Sequence, residues 1–267
     1  MKRILAGLAL ATAAALVTAT PAQAAPADPV KALKKQFVSG HGVRFSETAR
    51  ITVDGKSTGT TKTTGSFEFG KSGIVASDLR NRGQLKGASG ELLSPPRTIT
   101  VGGHSYAQGG MYSEDLPEDK KWVRYAGEAA GATQNQIIDV FDPKVLKAVV
   151  SKAKSFKGGT YQGSLTYNEL GRIYGQKVTG RFGKIKIDYR LAVDSKGLVT
   201  RLESGWTMDF GVLGKTRSVT ETRFIGWGYK LKIKAPAEDL WIDVADLGED
   251  AETPTEIPQG SIDAFIH

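Results

Sequence analysis

Few residues in this chain stand at spacings that catalysis uses, and the clearest of these is contradicted by its neighbours. Gly65-Ser66-Phe67-Glu68-Phe69-Gly70-Lys71-Ser72 fits the phosphate-loop pattern letter for letter. In that motif backbone N–H groups at a helix start cradle phosphate and the lysine neutralises it, which needs a helix opening at Lys-Ser. Here Phe67 and Phe69 alternate as in a strand, and Gly73 leads into a second run at Ile74-Val75. A hairpin is expected, without nucleotide. Ser151-Lys152-Ala153-Lys154 has the bare Ser-x-x-Lys spacing of some acyl-transfer enzymes but none of their companion motifs. His41 and His104 stand beside glycines, and no Gly-x-Ser-x-Gly elbow exists to complete a triad. Glu114-Asp115 and Glu118-Asp119 flank Pro117 in what reads as a solvated loop. With no cysteine and no cluster at metal-ligand spacing, neither thiolate chemistry nor a metal centre is expected. The chain reads as a non-enzyme without cofactors.

What the sequence does carry is a long amphipathic hairpin. Ile185, Ile187, Tyr189, Leu191 and Val193 alternate with polar residues, Asp194-Ser195-Lys196-Gly197 turns, and Leu198, Leu202, Trp206, Met208 and Phe210 resume the pattern. A period of two sends these side chains to one face of a pleated ribbon. Further strands are predicted from Val43 to Val53, closed by the hairpin turn Asp54-Gly55, and around Phe67, Ile74, Ile99, Tyr106 and Trp122. Residues 81–96 are rich in Gly, Ser and Pro and read as a loop.

Two helices are predicted. One covers Pro29 to Val38. The other starts at the N-cap Asp142 with Pro143 in the first position, turns Leu146, Val149 and Val150 to one side, and is expected to stop only at Gly158-Gly159. The β pattern then resumes through Tyr161, Leu165 and Tyr167. Strands, then helices, then strands argue for an α+β domain: a curled antiparallel sheet with helices packed on its concave face.

The first residues have the layout of a secretory signal: Lys2-Arg3, an apolar run from Ile4 to Val17, and Ala22-Gln23-Ala24 at a cleavage site after Ala24. The expected division is a signal over 1–24, one domain over 25–245 and an acidic, unstructured tail over 246–267. Residues 25–234 hold 34 Lys and Arg against 19 Asp and Glu, whereas 235–267 hold none of the former and nine of the latter. A basic body of this kind suits contact with an anionic membrane surface or cell-wall polymer, or simply keeps strand faces wet. No nucleic-acid motif is present.

Ile99-Thr-Val-Gly-Gly-His-Ser-Tyr106, Leu116-Pro117, Lys121-Trp122-Val123, Phe141-Asp142-Pro143, Tyr189-x-Leu-x-Val-Asp194 and Ile233-Lys-Ala-Pro236 follow one another in an order that resembles the actinobacterial LppX/LprG-type proteins of the LolA-like superfamily, over roughly residues 30–245. The resemblance implies a half-barrel enclosing an apolar pocket for acyl chains. Its implied walls are Phe141, Leu146, Val149, Val150, Trp206, Met208 and Phe210, and its implied partner is a lipid, lipoglycan or acylated protein. Relatives tethered through a lipobox cysteine differ from this cysteine-free chain, for which a free, monomeric, extracellular carrier is expected. The alternative is an envelope sensor or adaptor with a filled core.

Overall fold

The computed structural model describes residues 27–85, 95–114, 116–127, 131, 135–248, 251 and 253–257. The expected signal segment, Asp115, residues 86–94 of the expected loop and the last residues of the tail lie outside them; residues 81–85, expected in that loop, continue a strand instead.

Among the described residues twelve strands form one unclosed sheet: two meanders of six and five strands, and one further strand at the edge. After helix α1 (Pro29–Gln36), the first meander runs through β1 (His41–Val53), β2 (Lys56–Phe69), β3 (Ile74–Leu85), β4 (Arg97–Val101), β5 (His104–Gln108) and β6 (Trp122–Ala126). Helix α2 (Pro143–Ser151) leads to the second: β7 (Ala153–Lys157), β8 (Thr160–Thr166), short helices α3 (Tyr167–Ile173) and α4 (Gly180–Gly183), β9 (Lys186–Val193), β10 (Val199–Asp209) and β11 (Lys215–Lys230). The meanders are sewn together by β1 and β11, giving the order β6-β5-β4-β3-β2-β1-β11-β10-β9-β8-β7. Every pair in this series is antiparallel. A last strand, β12 (Trp241–Asp243), departs from the expected all-antiparallel sheet by pairing parallel with β6. The α+β class and the curled sheet are as expected. No helix among the described residues is long and apolar enough to cross a membrane.

The local chemistry explains most boundaries. Asp28 and Asp142 cap α1 and α2 through their carboxylates, each followed by proline. Asp54 and Gly55 both take positive φ, as the two-residue turn between β1 and β2 requires. Gly65 to Ser72 is the expected hairpin, with β2 ending at Phe69 and β3 starting at Ile74.

Three further expectations fail for identifiable reasons. Helix α2 stops at Ser151, and the lysine-rich stretch after it is the edge strand β7, because Gly158-Gly159 is its hairpin turn (φ +57° and +72°) rather than a helix stop. Tyr167 opens α3 instead of continuing a strand: the Thr166 hydroxyl accepts from the Glu169 N–H while the Glu169 carboxylate accepts from the Thr166 N–H, a reciprocal cap. The acidic tail is not unstructured throughout, since Ile257 is buried beside Tyr112 and Val123, and the Tyr125 hydroxyl donates to the Pro254 carbonyl. An apolar residue spaced into an acidic stretch supplied the anchor.

Helices and sheet enclose the main core, built from Val43, Phe45 and Phe67 of the first meander and Leu165, Ile187, Leu191 and Leu202 of the second. On the opposite face, the chain after β11 crosses β3 to β6. Its Ile233 packs with Ala76, Ile99, Tyr106 and Trp122. Glu68, nearly fully buried, pins this strap by accepting the Ile233 N–H at 2.7 Å.

Candidate functional site

The residues expected to wall a pocket separate into two groups. Phe141 is the hub of an aromatic cluster, its ring 5.0 Å from Phe67, 5.5 Å from Phe224, 5.8 Å from Trp227 and 5.9 Å from Phe69. Leu146 and Val149 are fully buried where α2 lies against the sheet, and Val150 packs half-buried on the same core. The Tyr189 hydroxyl rises from β9 to donate to the Val149 carbonyl at 2.7 Å. Its ring passes over Gly163, where a Cβ would collide with it. The hydroxyl is pushed up to about 12 by burial, so it stays a proton donor. The helix face is thus closed onto the sheet.

The second group lies further along the long strands. Trp206 reaches the edge of the main core and is only partly buried. Met208 is buried opposite Thr216, and Phe210 is half-buried where β10 gives way to a turn. Ile51 and Val53 of β1 complete this end of the helix-covered face. Ile51 and Trp206 both stand opposite Ser218, Val53 and Met208 opposite Thr216, and both β1 side chains are only partly buried. The structure therefore joins Phe141, Leu146, Val149 and Val150 in a packed core with Trp206 at its margin. It sets Met208 and Phe210 with Ile51 and Val53 in an apolar lip.

Between core and lip runs a buried polar belt that sequence reasoning missed. The Glu47 carboxylate, 2 % exposed, accepts from the Thr222 hydroxyl at 2.8 Å and the Asn135 amide at 3.1 Å. Gln136 donates to Thr222 and accepts from Ser204, and Thr220 donates to the Asn135 carbonyl. Buried polar groups persist where such bonds replace lost hydration. The signal was present: Glu47 falls in phase with Val43, Phe45, Ala49 and Ile51, so a carboxylate stood at an inward position of an otherwise apolar strand face. Nearby, Asp139 is pushed up to about 6 because burial outweighs the hydrogen bond it accepts from the Phe141 N–H, with Asp142 adding repulsion.

None of the spacings that suggested catalysis assembles a reactive centre. Nδ1 of His41 and of His104 lies against the carbonyl two residues earlier. The Ser151 hydroxyl donates to the Ala148 carbonyl, and Asp119 pairs with Lys120. No group of three or more acidic or histidine side chains among the described residues could hold a metal ion.

No family model matches the sequence, and no curated protein matches it. Among solved structures, the chain is similar to a LolA superfamily protein from Nitrosomonas europaea (9 % identity, TM-score 0.25), with 78 % of this chain and 93 % of that one covered. It is also similar to a DUF1329 family protein from Desulfovibrio piger (13 %, TM-score 0.28), covering 78 % and 95 %. A third match is lipovitellin, in a structure concerned with lipid–protein interactions (10 %, TM-score 0.26), covering 75 % of this chain and 26 % of that one. At these scores the likeness decides neither family nor ligand.

Proposed function

We propose that this chain is a secreted, non-enzymatic binding protein or carrier for a lipid or acylated molecule, held at the apolar lip of the helix-covered face. One observation carries the reading: Ile51, Val53 and Trp206 are only partly buried on the face whose continuation is the protein's core. Apolar side chains from β1 and β10, separated by the short Ser218 and Thr216 of β11, make a shelf two strand spacings wide, or ~10 Å. Eight methylenes buried there contribute about 6 kcal/mol at ~0.8 kcal/mol each, a dissociation constant of roughly tens of micromolar. The polar belt at Glu47 marks the inner limit of the shelf. The basic body suits an approach to anionic membrane or cell-wall material.

The test is to purify the full chain from its secreting host, extract it with organic solvent and run mass spectrometry, alongside titration with a fluorescent fatty acid. A stoichiometric lipid and saturable uptake are expected. Ser218→Trp fills the shelf and should weaken uptake about tenfold or more while the melting temperature holds. A clean extract with no uptake overturns the reading. It would leave the envelope sensor or adaptor, which the closed packing of Leu146 and Val149 already favours over a deep pocket.

A further inference from the structure

On β8 to β11 the sheet face away from the helices carries a groove of about 530 Å³, within the ~300–1,000 Å³ of ligand sites. The strand register explains it. Ser164, Asp188, Gly205 and Val219 stand opposite one another on β8, β9, β10 and β11, a rung of short side chains. On one side lies a ridge of long ones, Gln162, Arg190, Glu203 and Glu221, and on the other stand Lys186, Thr207 and Arg217. The groove therefore crosses three strand spacings, ~14 Å. Gly205 keeps its floor low, since a Cβ there would meet the Ser218 carbonyl and the Val219 side chain.

The two sides differ in charge. The first ridge satisfies itself: Gln162 accepts from Arg190, Arg201 binds Glu203 and Glu221, and Arg223 holds Glu221 at 2.6 Å. On the second side Lys186 pairs with Asp188 at 3.0 Å, whereas Arg217 and the groove-lining Lys154 have no ion-pair partner among the described residues. A bare polyanion or a dense phosphate array suits this groove poorly, because Asp188 and Glu203 would repel it. A ligand bearing hydroxyls fits better: these can donate to the lone pairs that Asp188 and Glu203 keep beyond their ion pairs, accept from the Gln162 amide and exchange bonds with Ser164 and Thr207, while sparse negative charge meets Arg217 and Lys154. Polar and apolar surface line the groove in similar measure, which suits the mixed faces of a sugar ring better than a bare acyl chain.

We infer that this groove binds a short segment of acidic carbohydrate, its hydroxyls seated along the Ser164–Gly205 rung and a carboxylate on Arg217. The site lies on the sheet face opposite the proposed lipid shelf, so either can fail without the other. The experiment is calorimetric titration of the full chain with trigalacturonic acid, with maltotriose, inorganic phosphate and phosphatidylglycerol vesicles as competing probes. Trigalacturonate is expected to bind in the sub-millimolar range and maltotriose about tenfold more weakly. Arg217→Gln, an exposed substitution, should weaken trigalacturonate about tenfold and leave both fatty-acid uptake and the melting temperature unchanged. Binding of phosphate or vesicles with no response to the saccharide overturns the inference in favour of a phosphate-type anion or a membrane. Saccharide binding indifferent to Arg217→Gln, or none at millimolar concentration, overturns it outright.

Discussion

Replacing Phe141 with alanine separates a packed core from a lined cavity more sharply than any other single change. The ring is 6 % exposed and touches four other aromatic rings from β2 and β11. If those contacts are the core itself, truncation removes the transfer energy of a phenyl group and leaves a hole between α2 and the sheet, at a cost of roughly 3–5 kcal/mol. The upper half of that range is expected, because the surrounding rings belong to long strands whose backbones cannot collapse inward. If Phe141 instead lined a ligand cavity, the empty protein would lose little stability and only ligand affinity would change. Urea unfolding followed by tryptophan fluorescence reads this directly, with Trp227 next to the substituted ring and anchored by its indole N–H to the Val199 carbonyl at 2.8 Å. The slope should stay constant and the midpoint fall. A loss below about 1.5 kcal/mol would refute the packed hub and return Phe141 to the pocket wall.

Two further outcomes follow from single groups. Asp139 has its folded-state pKa raised from an ordinary 3.8 to about 6, so the folded chain binds more protons than the unfolded one across that window. Its contribution to stability is present below pH ~4 and is lost as pH rises through about 6. Asp139→Asn, which keeps an oxygen for the Phe141 N–H, should therefore raise the melting temperature more at pH 7 than at pH 4.5; an equal shift at both would contradict this. Gly163→Ala drives a methyl into the Tyr189 ring and breaks its bond to Val149, costing roughly 2–3 kcal/mol. Calorimetry of the variant checks it, with a loss under 1 kcal/mol as the contrary result.

Alternation made the main sheet legible. Ile187, Tyr189 and Leu191 are all buried on one face of β9, as their period of two required, and the pairing of β9 with β10 is the hairpin the turn at Asp194 announced. Helix α2 was legible at its start, where Asp142 and Pro143 act locally, and not at its end. Lys152 to Lys157 supports a helix or a strand equally well, and the hydrogen bonds from β8 decide. Helix α3 rests on the Thr166–Glu169 cap, a signal lost among the apolar residues that flank it. Trp241 could be expected to dock, as it does on Tyr106 and Arg124, but the strap and the parallel pairing of β12 could not be read, because their partners, Glu68 and Trp122, are remote in sequence and no local pattern reports them. The candidate site shared both fates. Its apolar members were visible as types, but which were core and which were lip depended on where α2 came to rest.

The seam between β1 and β11 has a consequence for how the molecule is made. Glu47 and Thr222, bonded across neighbouring strands, are 175 residues apart. Each meander can begin to form as its own strands appear, but each then presents a bare inner edge until the other is complete. Such long-range closure is slow and leaves unpaired edges exposed to association. A chain truncated before Lys215 would lack β11 with its Phe224 and Trp227, and would keep β1 and β10 as open edges. Assembly of this fold therefore waits on its C-terminal third, and the belt at Glu47, which draws on β1, β10, β11 and the link before α2, closes only when that wait is over.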